Sequence, residues 1–171
     1  ADWIIFIDDD EEAEPGWLAA FIAAAARFEA ADVLVGPVDI DYPAAAPAWL
    51  PRSTMVGIAT GTEMESAYTS NTMAARRIFA ADGLGFRFEE RLRYTGGSDT
   101  ELFLRVTAAG AKILWVEEAR VREEYPDSRA QLGWYLRRYM RRANGGVLIQ
   151  RLHGKGVIGY AAGRIAKCLV V

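Results

Sequence analysis

Apolar and polar positions along the chain follow two different periods, and they predict strands and helices in turn. Residues 3–7, WIIFI, form a continuous apolar run that predicts a strand buried on both faces, with a neighbour on each side. The following segments favour a helix over residues 16–31 and a strand over residues 32–40 that breaks near Gly36 and Pro37. A chain that opens on such a strand indicates a piece of a longer domain.

The second half of the chain continues the same alternation. Prolines predict an irregular region over residues 41–66, and residues 70–86 predict a short strand or loop that enters a helix. A helix over residues 98–109, a strand over residues 112–116 and a helix over residues 130–143 follow. Strands that alternate with helices predict an α/β sandwich.

Composition fits this picture. Of the 171 residues, 51% are hydrophobic and 25% are charged, which is ordinary for one soluble domain with a real core. Cys168 is the single cysteine and His153 the single histidine, so an intramolecular disulfide and a structural zinc site are excluded. No apolar run reaches the ~18 residues of a membrane span, and we expect a cytoplasmic protein.

Charge is distributed unevenly along the chain. Residues 129–171 hold nine of the 20 basic residues and no acidic residue, although the net charge of the chain is −3. Such a tail predicts a polyanionic partner, either anionic lipid, a phosphorylated ligand or nucleic acid. A solvated basic face is the alternative, and charge alone leaves both open.

Three aspartates directly follow the first predicted strand. In α/β proteins, ligands bind outside the carboxyl ends of strands. Asp8 and Asp10 alternate along an extended backbone and would face one side together. Magnesium and manganese take carboxylate oxygens and leave positions for substrate phosphates, so the triplet predicts a metal site. The alternative is a polar turn whose acidic residues favour the start of the next helix.

The segment TGGSDTELFLR, residues 95–105, predicts a second functional position. Ser98 and Glu101 have the spacing of a capping box, which would start the helix that Gly110 ends. Asp99 then lies in the first turn, where a carboxylate that faces a cleft can act as a general base. A residue that only interacts with the helix dipole is the alternative.

A basic amphipathic helix completes the set of candidate elements. Its four arginines suit phosphate or a phospholipid surface, and a solvated face is again the alternative. Helical spacing places an apolar row (Leu132, Leu136, Tyr139, Ala143) on one side and the arginines (Arg137, Arg138, Arg141, Arg142) on the other.

Taken in order, these segments resemble a family 2 glycosyltransferase of the bacterial exopolysaccharide type over residues 1–145. FIDDDEEAEPGWL resembles the strand, aspartate motif and helix of that family, and TSNTMAARRIF resembles the segment before its acceptor site. The segment FEERLRYTGGSDTELFLRVTAAGAKILWVEEARV is the most similar. The resemblance implies an α/β GT-A fold, a Rossmann-like mixed sheet flanked by helices, whose nucleotide-binding strands would precede residue 1. Residues 146–171 would form a basic tail at an anionic membrane surface.

The resemblance also implies an activity and a set of site residues. The reaction is an inverting transfer of a sugar from a nucleotide-sugar donor, a UDP-sugar, to a saccharide or lipid-linked acceptor, with a bound magnesium or manganese ion and no nucleic acid. Asp99 is the implied base, and Asp10 with Asp8 the implied metal ligands. The donor diphosphate is assigned to Asp9, Arg138, Arg141 and Arg142, and the acceptor to Asn71, Gly96, Gly97, Ser98 and Glu101.

The chain departs from the family pattern at three places. Ser98 stands where the family usually has an acid, and Glu124 where many members have a histidine. The Gln-x-x-Arg-Trp form of processive synthases is absent from the sequence, so a non-processive transferase is expected.

Other functions stay open at the level of sequence. A magnesium-dependent phosphotransferase or phosphohydrolase would use the same aspartates, although the sequence has no phosphate-binding GxxxxGK[ST] loop. A non-catalytic polyanion- or lipid-binding module would use the basic tail alone. An inactive fragment of a transferase is the third alternative.

Overall fold

Two mixed β-sheets with helices packed against them form the fold. The structure is a computed structural model that describes residues 2–50 and 57–168, with the backbone alone for residues 164–168. The strands of this described part are β1 (Trp3–Phe6), β2 (Glu11–Ala13), β3 (Val33–Val35), β4 (Val38–Asp41), β5 (Thr72–Ala75), β6 (Ile113–Trp115) and β7 (Val121–Glu124). The helices are α1 (Trp17–Arg27), α2 (Ser98–Ala108), α3 (Leu132–Leu152) and α4 (Val157–Cys168). The α/β class predicted from the alternation of strands and helices is confirmed.

The four-stranded sheet lies between α1 and α2. Its order is β1-β5-β3-β6, with β5 antiparallel to β1 and β3, and β3 parallel to β6. Side chains of a strand alternate between the two faces. Leu34 therefore packs with Phe21 of α1, whereas Val33 and Val35 pack with Phe103 of α2. The sheet thus has a core on each side.

The structure shows one of the two neighbours predicted for the first strand. Within residues 2–50 and 57–168, β1 pairs with β5 alone and forms an edge of the sheet. Trp3 and Ile5 pack toward α1, but Ile4 and Ile7 are exposed. The apolar run is explained by contacts on the two faces of the strand, because Phe6 on the other face packs against Phe79 and Phe88.

A three-stranded sheet holds the segment after the aspartates. Its order is β2-β7-β4, with β7 antiparallel to β2 and parallel to β4. The break predicted between β3 and β4 is confirmed, and it lets the chain pass from the first sheet to the second. The strands β2 and β7 were not predicted, since they are short and mostly charged.

The segment after β5 contains no α-helix, and here the prediction is wrong. A 3₁₀ turn over Arg76–Ile78 follows the strand. The chain then reverses, with Leu84 N donating to Arg77 O at 2.7 Å. At Gly83 a Cβ atom would lie 2.1 Å from Arg77 O, so this reversal requires glycine. Residues 42–50 and 57–66 are irregular as predicted, apart from a bridge between Glu63 and Leu114, and residues 51–56 lie outside the described residues.

Helix α3 is longer than predicted and α1 is shorter. Helix α1 ends at Arg27 rather than at the predicted residue 31. The predicted end of α3 is residue 143, but the helix continues to Leu152. Two glycines beyond residue 143 make close contacts inside the helix. A Cβ at Gly145 would lie 3.1 Å from Gly96 O, and one at Gly146 would lie 2.2 Å from the Tyr160 hydroxyl. These contacts offset the roughly 1 kcal/mol that each glycine costs inside a helix.

The C-terminal segment forms α4, which packs beside α3 through Tyr160. In the part of the chain that the structure describes, no helix is both long and apolar enough to cross a bilayer.

Candidate functional site

The three aspartates lie in a tight turn between the two sheets. Glu11 N donates to Asp8 O at 3.2 Å, which closes the turn, and Asp8 N donates to the Glu11 carboxylate at 3.0 Å. The expectation of an extended backbone with alternating aspartates is therefore wrong. The turn is required because β1 and β2 belong to different sheets.

Arg129 links this turn to the second sheet. Its guanidinium donates to Asp10 Oδ2 at 3.2 Å and to Glu123 Oε1 of β7 at 2.9 Å. This site also contains Glu11, Glu123 and Arg129, which the sequence patterns do not predict. The pairing of β2 with β7 brings them together, and VREE, residues 121–124, has no apolar alternation that would have identified β7.

Electrostatics place Asp99 close to the same turn. Burial raises the pKa of Asp8, and the charges of Asp10, Asp99 and Asp9 raise it further. Burial also raises the pKa of Glu123, and the charge of Asp10 adds to this effect while Arg129 opposes it. The charges of the aspartate turn thus interact with Asp99 of α2 and with Glu123 of β7.

Asp99 lies in the first turn of α2, as predicted, but the capping box is wrong. The residue that precedes the helix is Gly97, in the left-handed region with φ 90°, and no side chain caps the helix. Ser98 is the first helical residue, and Glu101 points elsewhere. Gly96 also has a positive φ of 79°, so both glycines are required by the backbone.

Arginines of α3 face Asp99 across a cavity. The cavity has a volume of about 600 Å³ and includes the N-terminal turn of α2 in its lining. Burial lowers the pKa of Arg138, and the neighbouring charge of Arg142 lowers it further, as expected for two guanidinium groups that share a site. The lining includes Gly96, Gly97, Asp99, Arg138, Arg141 and Arg142. Arg137 of the same helix is exposed and lies outside this lining.

Two residues that the resemblance assigns to the acceptor are buried and bonded within the protein. Asn71 has no exposed surface, and its amide donates to Pro37 O and Ala119 O at 2.7 and 2.6 Å while accepting from Trp17 Nε1 at 2.7 Å. Glu101 accepts from Arg105 Nε at 2.7 Å and lies 3.0 Å from His153 Nε2. Both side chains lack the open surface that a substrate contact needs, and the structure gives them packing roles.

A second cavity adjoins the aspartate turn. It has a volume of about 690 Å³, and Asp9 and Asp10 line one end of it. The rings of Tyr42 and Tyr125 lie 5.0 Å apart at another part of its lining, which also includes Glu124. Asp10 therefore lies at the edge of a cavity that Asp99 does not line.

The carboxylate oxygens of the site suit a hard cation, and its guanidinium groups suit phosphate. In the described residues, no three side chains of Asp, Glu, His or Cys converge to hold a metal by themselves. Magnesium and manganese are commonly held by one or two carboxylates together with substrate phosphates and water. Asp8 and Asp10 meet that need, because the excess negative charge around Asp8 favours a bound cation.

Fold and site together define a mixed α/β protein with a carboxylate turn between two sheets and an arginine-lined cavity beside it. No family model matches the chain. The chain is similar to the succinoglycan biosynthesis protein ExoM of Rhizobium meliloti (strain 1021), with 37% identity over 159 residues that cover 90% of this chain and 50% of that protein. The chain thus spans about half the length of the curated relative it matches.

Removing the charge of Asp8 is expected to stabilise the metal-free protein. The folded-state pKa of Asp8 lies above 3.8, so its ionised form opposes folding at neutral pH, and this effect disappears as the pH falls below 3.8. Asp8→Asn should raise Tm by about 1–2 °C at pH 7 in the presence of a chelator, a small effect because the group is partly solvated. Thermal unfolding measures it, with Asp82→Asn at an exposed surface pair as the control. A lower Tm for Asp8→Asn would contradict the expectation.

Proposed function

We propose that this chain is the acceptor-side part of an inverting, metal-dependent family 2 glycosyltransferase with a GT-A fold, which acts in surface polysaccharide synthesis. It would transfer a sugar from a nucleotide-diphosphate sugar to a saccharide or lipid-linked acceptor. The observation that carries the proposal is the cavity that Asp99 of α2 lines together with Arg138, Arg141 and Arg142. The charge of Asp99 also acts on Asp8 in the aspartate turn. The similarity to a succinoglycan biosynthesis protein supports the polysaccharide role.

The carboxylates of the turn would hold a magnesium or manganese ion. Asp10 and Asp8 would supply the oxygens that hold the ion, which when bound would supply positive charge for the donor diphosphate. Arg129 donates to both Asp10 and Glu123, and it thereby holds the Asp10 carboxylate in place. Asp9, at the tip of the turn, would contact the donor.

Asp99 would act as the general base. Its carboxylate takes the proton from an acceptor hydroxyl, and the acceptor oxygen forms a bond to the anomeric carbon of the donor sugar. The bond from that carbon to the diphosphate oxygen breaks, and the electron pair leaves with the diphosphate. Attack and departure occur on opposite faces of the sugar, so the configuration is inverted, as in inverting glycoside hydrolysis.

The arginines of the cavity would bind the departing diphosphate. Guanidinium groups bind phosphate through paired N–H donors. Burial lowers the pKa of Arg138 and the charge of Arg142 lowers it further, and a bound dianion would relieve this repulsion. Arg141 lines the same cavity and extends the basic surface.

Manganese-dependent binding of UDP tests the proposal. Titration calorimetry on the 171-residue chain is expected to detect UDP binding with manganese and to lose it with a chelator. Asp10→Asn should weaken this binding by at least about tenfold, because one of two anionic ligands is removed. Asp82→Asn, an exposed aspartate far along the sequence from the site, serves as the matched control.

Three results would contradict the proposal. They are absence of UDP binding both to the folded chain and to a longer chain that restores the upstream strands, binding that is equal with and without manganese, and binding that Asp10→Asn leaves unchanged. Circular dichroism of each variant establishes that the fold is retained.

A further inference from the structure

Three large apolar side chains form an exposed row on α3. Leu132, Leu136 and Met140 are 56%, 51% and 65% exposed. Their spacing of four residues places them on one face of the helix, one turn apart. A single exposed leucine is ordinary on a protein surface, but three in a continuous row indicate an interaction surface.

Two arginines run beside this row. Arg137 and Arg141 follow the apolar residues by one position on the helix, and both are exposed. No carboxylate within the described ranges forms an ion pair with either guanidinium. We call the surface formed by these five residues the outer face of α3. It combines unpaired positive charge with exposed hydrocarbon over more than two helical turns.

The opposite side of α3 is already occupied. Gly145 packs against Gly96, and Arg138 lines the cavity of Asp99. Tyr135 contacts Trp49 with ring centroids 5.6 Å apart. The apolar row therefore takes no part in the packing of the helix, and the core does not explain it. Of the two arginines beside the row, Arg141 also lines the cavity of Asp99, whereas Arg137 does not.

We propose that the outer face of α3 docks on the surface of an anionic membrane. The apolar row would enter the boundary between headgroups and acyl chains, and the two arginines would contact lipid phosphates. Charge complementarity supports this partner, since residues 129–171 hold nine basic residues and no acidic one. A free phosphate or a nucleic acid would bind the arginines but would leave the apolar row in water. A second copy of this chain, docked through the same face, would place its arginines against those of the first copy.

Vesicle flotation tests this surface, independently of any sugar transfer. The 171-residue chain is expected to float with vesicles of phosphatidylcholine and phosphatidylglycerol, and to bind vesicles of phosphatidylcholine alone far more weakly. Leu136→Ser with Met140→Ser should weaken binding by about tenfold or more, because it removes two inserting side chains. Arg137→Gln should weaken it by about fivefold and reduce its dependence on salt.

The helix α1 offers a matched control. Leu18 and Ile22 are also exposed apolar residues at a spacing of four, and they have no pair of arginines beside them. Leu18→Ser with Ile22→Ser should leave flotation unchanged. The proposal is overturned if the chain does not float with anionic vesicles, or if the α1 and α3 double variants bind equally. It is also overturned if light scattering without lipid detects a dimer that Leu136→Ser with Met140→Ser abolishes.

Discussion

Asp99→Asn is expected to lower the rate of sugar transfer by about 10²–10⁴-fold, because a positioned general base contributes that much. The amide retains the size of the carboxylate but cannot accept the proton of the acceptor hydroxyl. Asp99 makes no capping contact that the substitution would break, so the fold should be retained. The turnover number should fall, whereas the affinity for manganese and UDP should stay the same or rise slightly, since Asp99 also repels the aspartate turn.

The rate of UDP release measures the effect of Asp99→Asn. The assay contains manganese, the acceptor and the UDP-sugar that the wild-type protein turns over. Glu90→Gln provides a control, because Glu90 is an exposed carboxylate that precedes α2 and lies outside the cavity. A variant with full activity would exclude Asp99 as the base. A variant that loses UDP binding and turnover together would indicate a donor-binding role instead.

Glu101→Ala is expected to destabilise the protein by about 3 kcal/mol, which corresponds to a fall in Tm of about 6–12 °C. Only 4% of the Glu101 side chain is exposed, and it accepts from Arg105 through both oxygens. A carboxylate can only accept, so His153 Nε2 donates to it at 3.0 Å. Removing Glu101 would leave a half-buried guanidinium and the end of α3 without their partner.

The stabilising effect of the Glu101 carboxylate decreases as the pH falls. Burial acts to raise the pKa of Glu101, but hydrogen bonds from Arg105 and His153 outweigh it, and the pKa lies below 4.5. The carboxylate therefore stabilises the fold fully above pH 4.5, and this contribution is lost as the pH falls through the folded-state pKa. Chemical denaturation should find that the difference between wild type and Glu101→Ala shrinks below pH 4.5.

A surface ion pair provides the comparison for Glu101. Glu89 accepts from Arg91 at 2.7 Å, and this pair lowers the pKa of Glu89 to about 2. Glu89→Gln should nevertheless have a much smaller effect on Tm, because exposed pairs contribute little to stability. If Glu101→Ala and Glu89→Gln changed Tm equally, the Glu101 cluster would not connect α2 to α3 as inferred.

The relation between Glu101 and Asp99 illustrates the limit of motif reasoning. The spacing of Ser98 and Glu101 fits a capping box, and both residues stand in the segment with the strongest resemblance to a transferase. In the fold, however, the helical spacing of Glu101 and Arg105 and the end of α3 give Glu101 a better set of partners. Asp99, two residues earlier, faces the cavity on another side of the same helix.

The local features of the chain were determined by the sequence alone. The apolar run of β1, the break at Gly36 and Pro37, the end of α2 near Gly110 and the position of Asp99 in a first helical turn depend on contacts within a few residues. Such features follow from side-chain periodicity and from the conformational limits of glycine and proline. They predicted the α/β class, together with the aspartates and arginines of the proposed site.

Only the tertiary structure determined which residues from distant parts of the chain contact one another. The charged strands β2 and β7 exist because they pair with each other, and this pairing brings Arg129 and Glu123 to Asp10. Gly145 and Gly146 remain helical because Gly96 and Tyr160 pack against them, so glycines that locally favour an end instead allow close contact. The physical reason is the same in each case: the free energy of these contacts comes from residues distant in the sequence, and it outweighs the local preference.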